Sequence, residues 1–274
     1  MNNWVEYRWV GSEKHYVDEI DAQPIGHIVL GRFGGNSTTN RKVKNEDGCL
    51  VWVNADLNAE FAVLLDAHKT AESAELVVEI IHSLQSDIKH ALTLPTREAF
   101  RNLQNLFLTT FESQSFRKAC QMVEGETACL IVARKDKYLW WFSIGDCILH
   151  VHHPELVALN EFQQNHRSFY EWIGKVNTFD LEVPCYSTGT KELRKGKNHI
   201  FVTTDGLVEC PNVNFDNPAE IFQAFQNATI LEGVFYLLNE IRKNGVLDST
   251  TILSWIVEVV EEGMQPSDRD SKAL

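Results

Sequence analysis

The 274-residue sequence predicts an α+β protein, on three observations. Short apolar runs repeatedly end in an aspartate. Two amphipathic helices follow one another and suggest an antiparallel pair lying on a sheet. A three-strand meander with tight turns comes after them.

Residues 26–33 (GHIVLGRF) and 49–54 (CLVWVN) read as strands, and 61–66 (FAVLLD) reads as a buried strand with an acid at its tip. A helix is predicted from Ala71 to about Ala91, with Leu76, Val77, Ile80, Ile81, Leu84 and Ile88 at helical spacing. A second helix follows Pro95, with Thr96 as its N-cap and Ala99, Leu103, Leu106, Phe107 and Phe111 on one face. Residues 127–134, 138–144 and 146–152 form the meander, turning at Lys135–Lys137 and at Gly145-Asp146. The aromatic run Tyr138–Phe142 is core strand. Residues 155–198 lack clear periodicity and read as an inserted flap. Residues 199–205 (HIFVTTD) form another strand ending in an acid. Asn217-Pro218 starts a helix, because Asn caps and Pro suits the first helical position. A helix over 230–243 and a strand over 250–258 complete one domain spanning 1–262, and 263–274 is expected to be a disordered tail.

The composition narrows the function classes. A 44% apolar content is enough for one large core. Lys and Arg total 25 against 38 Asp and Glu, a formal net charge of −13. Nucleic-acid binding needs clustered bases to neutralise phosphates, so the balance points away from it. Acidity suits cation binding but is by itself ordinary solubility. The cysteines (Cys49, Cys120, Cys129, Cys147, Cys185, Cys210) form no C-x-x-C pair and read as small core residues in a reducing compartment. The first residues lack the apolar stretch of a signal peptide, and no apolar run is long enough to span a bilayer. A cytoplasmic monomer is expected.

The placement of the acids carries the functional signal. Asp66 and Asp205 end strands, Asp146 sits in a turn, Asp248 precedes the last strand, and Glu46 and Asp47 precede the strand at Cys49. Each alone is equally a turn residue, because Asp suits turns. Together they could converge on one edge of a sheet core. Packed carboxylates raise one another's pKa, and Mg²⁺ or Mn²⁺ would remove that cost.

Six segments, in order, resemble the metal-dependent type 2C serine/threonine protein phosphatases, especially the compact bacterial ones. Arg41 to Asp47 (RKVKNED) looks like the family's basic-residue-then-N-E-D motif, and 61–68 (FAVLLDAH) like its F-x-V-x-D-G-H. Gly125 to Ala128 (GETA), Ile144-Gly145-Asp146, Thr203 to Leu207 (TTDGL) and Asp248 to Thr251 (DSTT) resemble its G-T-T-A, V-G-D, S-D-G-L and D-N-x-T segments. The resemblance implies a four-layer α/β/β/α sandwich of two antiparallel sheets with a helix pair on each outer side. It also implies two Mn²⁺ or Mg²⁺ ions, with a weaker third, and a phosphorylated protein as substrate. Asp66 would bridge the two ions, the Ala67 carbonyl would ligate the first, and Asp205 and Asp248 the second. Glu46 would hold bound water, Asp47 would support the cluster, and Asp146 with Asp205 would offer the third site. His68 would be the general acid, and Arg41 or Lys42 would hold the substrate phosphate. The implied reaction is direct attack on phosphorus by metal-activated water.

The departures are local. The family's D-G-H-G-G is Asp66-Ala67-His68-Lys69-Thr70 here. Ala67 can offer its carbonyl if its φ is negative. Lys69, if inward, would either repel metal or help bind phosphate. Ser249 stands where the family has Asn. The alternative to an active phosphatase is a weak or inactive relative serving as a regulatory binding module.

Overall fold

The computed structural model describes residues 3–38, 45–265 and 267. Arg41 and Lys42, the two candidates for the phosphate, lie outside the described residues. The strands are β1 (Val5–Val10), β2 (Ile20–Ile25), β3 (Ile28–Phe33), β4 (Gly48–Asn54) and β5 (Ala59–His68). Helices α1 (Glu72–Ser83), α2 (Gln85–Thr93), α3 (Thr96–Glu112) and α4 (Gln114–Met122) follow. Next come β6 (Glu126–Lys135), β7 (Tyr138–Ile144), β8 (Ile148–His152), α5 (Pro154–Val157), β9 (Ile173–Gly174), β10 (Ser187–Glu192) and β11 (Gly196–Thr203). The described chain ends with α6 (Pro218–Gln223), α7 (Ile230–Lys243) and β12 (Thr250–Val259).

Two antiparallel sheets result. One runs β1-β4-β5-β6-β7-β10, with β9 on the start of β6; the other runs β2-β3-β12-β11-β8. The two-residue period of a strand sorts their side chains. On β5, Ala62 and Leu64 face the core between the sheets, which also holds Leu30, Val51, Leu130, Val202 and Trp255. Val63, Leu65 and Ala67 face a second core under α1 to α4. A third core, with Phe33, Phe201, Leu237 and Ile241, lies between the other sheet and α6 and α7. Three apolar cores separate four layers, so the α/β/β/α sandwich is the observed architecture.

Several details differ from the sequence expectation. The helix expected over 71–91 breaks at Leu84, whose N–H reaches the carbonyls of both Ile80 and Ile81 at 3.2 and 3.1 Å. The tightened turn redirects the chain so that Ile88, Ala91 and Leu92 stay buried. Thr96 is the first residue of α3 and not its cap: Pro95 holds the cap position, and the Thr96 hydroxyl donates to Asp136 at 2.6 Å. The first sheet carries four helices on its outer face, not a pair. Within the presumed flap, β10 completes the edge of the first sheet by pairing with β7. Of the six cysteines, all free, Cys185 is exposed and the other five are buried. The Met264 N–H donates to Glu192 and its carbonyl accepts from Arg194, which fixes the start of the segment expected to be a tail.

At the end of the sandwich away from the aspartates, a buried Glu60–Arg134 pair is joined to the other sheet by the exposed His27. Arg134 on β6 donates to Glu60 on β5, and His27, in the β2–β3 turn of the other sheet, lies 2.9 Å from Glu60. Burial pushes the Glu60 carboxyl up, but His27 and Arg134 outweigh it and hold the group below its ordinary value.

Candidate metal centre

Asp66 comes two residues after Leu64 on β5, so its side chain takes the inter-sheet face, and it is 3% exposed. Its neighbour across the ladder is Ala128, which leaves room above it. The turn at Gly145 packs down on this alanine: Gly145 has φ +86°, and a Cβ there would stand 2.5 Å from the Ala128 methyl. Glycine is required on both counts, and the tight turn delivers Asp146 beside Asp66. From the second sheet, Asp205 opens a 3₁₀ turn directly after β11. Gly206 lets that turn pass the Ser249 carbonyl, which an added Cβ would meet at 2.3 Å. Carboxylate oxygens of Asp66, Asp146 and Asp205 come within 4.8 Å of one another.

Asp47 is fully buried and plays a different part. Its carboxylate accepts from Ser249 Oγ at 2.7 Å and Thr251 Oγ1 at 2.6 Å, and its backbone N–H donates to Asn45 Oδ1 at 3.0 Å. The start of β4 is thereby tied to the start of β12 across the two sheets. Ser249, where the family has Asn, is part of this support. Asp248 is exposed, and its carboxylate accepts from the Ser249 N–H. Glu46 is half-buried at the entrance to β4.

The electrostatics are those of a crowded acid cluster. Burial pushes Asp47 up to about 7, with the Ser249 and Thr251 hydroxyls opposing and Asp248 and Asp205 adding to the rise. Asp66 is driven well above the carboxylate range by burial and then by Asp205, Asp47, Asp248 and Asp146. Asp205 rises to about 6, by burial first and then by Asp146 and Asp248. Burial also raises Asp146, against Arg167 and His68, which lower it. Asp66 Oδ2, Asp146 Oδ1 and Asp205 Oδ1 are buried with no hydrogen-bond donor. Buried polar atoms are almost always satisfied. Three carboxylates this close, each with a buried oxygen lacking a donor, have the donor chemistry and spacing for a hard divalent cation.

The other sequence candidates fall as follows. Ala67 is not among the residues with positive φ, so nothing in its backbone prevents its carbonyl from serving as a ligand. His68, half-buried, shares the inter-sheet face of β5 with Asp66. Lys69 does not point inward: it is 65% exposed and pairs with Glu124 at 2.8 Å. Lys69 instead takes the strained backbone position, with φ +74°, in a turn closed by the Thr70 N–H on the His68 carbonyl.

One residue of the site escaped the sequence reading. Arg167, inside the region of weak periodicity, lies 3.8 Å from Asp205 Oδ2 and donates to the Asp146 carbonyl at 3.1 Å. Neither a motif nor a period marks it.

The protein phosphatase 2C family profile matches residues 35–241. The chain belongs to that family. As a phosphatase 2C it is a metal-dependent hydrolase that removes phosphate from protein serine and threonine. Its fold is shared with solved structures at low identity. A bacterial serine phosphatase is 18% identical, with 88% of this chain and 99% of that one covered and a TM-score of 0.64. The Mycobacterium tuberculosis serine/threonine phosphatase PstP/Ppp is 16% identical over 84% of this chain and 98% of its own, with a TM-score of 0.59. The catalytic domain of PstP in complex with two manganese ions is 15% identical over 84% and 98%, with a TM-score of 0.56. No curated protein sequence matches the chain. Among the described residues, no helix of this phosphatase is long and apolar enough to cross a membrane. Asp248 lies beyond the matched segment, yet its charge acts on Asp47, Asp66 and Asp205.

Proposed function

We propose that this phosphatase 2C works through the aspartate cluster at one end of the sandwich, as a cytoplasmic monomer acting on phosphoserine and phosphothreonine in proteins. Two divalent cations, Mn²⁺ or Mg²⁺, with a weaker third, supply positive charge for the phosphoryl oxygens and acidify a water when bound. Asp66 would be a ligand of both principal ions. The Ala67 carbonyl would add a neutral ligand to the first, and Asp205 with Asp248 would hold the second. Asp146 and Asp205 would hold the third. Glu46 orients water, and Asp47, fixed by Ser249 and Thr251, keeps the two sheets at the spacing the cluster needs. His68 gives a proton to the departing serine or threonine oxygen. Arg41 or Lys42 binds the substrate phosphate. The observation that carries the reading is the set of three buried carboxylate oxygens without donors on Asp66, Asp146 and Asp205.

The test is hydrolysis of an aryl phosphate and of a phosphothreonine peptide, with Mn²⁺ and with EDTA, in wild type and Asp205→Asn. The expected result is turnover that needs Mn²⁺ and is lost in the variant. Folded wild type with no turnover at high Mn²⁺ would instead support a regulatory binding module. Preference for small esters over the peptide would remove protein as the substrate.

A further inference from the structure

Among the described residues, Arg167 is the one arginine or lysine ion-paired to Asp66, Asp146 or Asp205. Its place is built, not accidental. Two residues earlier, the buried Asn165 side chain donates to Ser143 Oγ at 3.0 Å and to the Cys147 carbonyl at 2.7 Å, and accepts from the Leu149 N–H at 2.8 Å. One residue later, the Ser168 N–H donates to the Gly145 carbonyl at 2.9 Å. The loop is therefore pinned on both sides of Arg167 to the same turn that carries Asp146. From there the guanidinium spans three acceptors: the Asp146 carbonyl at 3.1 Å, Asp205 Oδ2 at 3.8 Å, and Glu209 Oε1 at 3.0 Å. The Glu209 N–H bonds the Asp205 carbonyl, so Asp205 and Glu209 offer their carboxylates from one turn. Asp205 is deep, whereas the Glu209 side chain is 55% exposed. The arginine thus has one foot in the cluster and one outside it.

We infer that Arg167 is the internal counter-ion of the Asp146–Asp205 end of the cluster and competes with a divalent cation for those carboxylates, while Glu209 holds it when the cation binds. A fixed positive charge about 4 Å from a ligand oxygen repels an incoming cation in a low-dielectric site. The Asp146–Asp205 end therefore loads more weakly than the Asp66–Asp248 end, and its loading is coupled to withdrawal of the Arg167 side chain toward Glu209. The inference rests on the reading that these carboxylates hold divalent cations.

The experiment is calorimetric titration of the full chain with MnCl₂, in wild type, Arg167→Ala, Arg167→Lys, Asp146→Asn and the Arg167→Ala/Asp146→Asn double variant. The expected result is that Arg167→Ala tightens the weaker binding phase about tenfold and leaves the tight phase unchanged. Arg167→Lys should restore wild-type behaviour, and the effect of Arg167→Ala should vanish when Asp146 is already Asn. A loop that is merely structural would not show this rescue or this coupling. Binding that is present but indifferent to Arg167, or that changes equally with and without Asp146, would overturn the inference alone. Absence of Mn²⁺ binding in wild type and every variant would overturn the metal assignment and the inference with it.

Discussion

Replacing Asp205 by asparagine should make the metal-free protein more stable at neutral pH. Burial and the charges of Asp146 and Asp248 raise this carboxyl from 3.8 to about 6. Because the folded-state value lies above the unfolded one, the folded state binds the extra proton. The stabilisation is complete below about pH 4 and is lost as pH rises through about 6. At pH 7.5 the ionised group therefore costs about 3 kcal/mol. Asparagine removes that cost but also gives up the pair with Arg167 at 3.8 Å, which at a partly exposed arginine contributes up to about 1 kcal/mol. The net gain of about 2 kcal/mol corresponds to roughly 4–8 °C in Tm. Thermal unfolding in EDTA at pH 7.5 and 4.5 measures it: the variant should melt higher at pH 7.5, and the gap should shrink to about 1 kcal/mol or less at pH 4.5. Saturating Mn²⁺ should reverse the order, since a ligand at about 100 times its Kd stabilises wild type by about 2.7 kcal/mol. A variant that melts at or below wild type in EDTA at pH 7.5, or gains as much at pH 4.5, would refute the reasoning.

Three further outcomes are expected. Burial lowers His150 to about 4, and burial together with His152 lowers His199 to about 3. Both stay neutral in the folded state, and their contribution, full above about pH 6.5, is lost as pH falls toward those values. Urea unfolding at pH 7 and 5 should show His150→Leu abolishing about 2 kcal/mol of the acid sensitivity. Thr251→Val removes one of the two short hydroxyl bonds to buried Asp47 and should lower stability by about 1–3 kcal/mol at pH 7.5, measured by chemical denaturation. Lys69→Gly should raise stability by about 0.5–1 kcal/mol, by relieving a left-handed lysine, and leave Mn²⁺ affinity unchanged; a clear change in affinity would show that the Lys69–Glu124 pair reaches the centre.

The features legible in the sequence were those written in a local period. Strands β3, β5, β6, β7, β11 and β12 are buried along nearly their whole length, so each stands out as an apolar run. β1 and β2 were not legible. β1 buries only Trp9 and Val10, and β2 is a polar sheet edge carrying Pro24, which an edge tolerates because it needs no ladder donor there. The break at Leu84 had no glycine or proline to announce it. α4 is short and polar, with Phe116 and Cys120 as its buried residues, so its signal was confined to the Ser113 cap. At the site, the aspartates were readable because each stands near the end of an apolar strand or in a turn beside one. Arg167 was not, because its significance is tertiary: it meets an acid 38 positions away through a loop without periodicity. Ser249 and Thr251 were hidden similarly, since only the cross-sheet approach of Asp47 shows what their hydroxyls do.

The ion group of Arg134, Glu60 and His27 gives the two ends of the sandwich different characters. There the chain carries both signs of charge itself, and the sheets are clasped by residues encoded in the sequence. At the aspartate end the sheets are tied by the hydrogen bonds of Asp47 to Ser249 and Thr251, but the buried carboxylates of Asp66, Asp146 and Asp205 outweigh the charge of Arg167 beside them. One end of the fold therefore balances its own charges, whereas the other keeps an excess of negative charge that a divalent cation would relieve. On the proposed metal reading, depletion of that ion would loosen the protein first at the aspartate end, and its lifetime would record the ionic state of its surroundings.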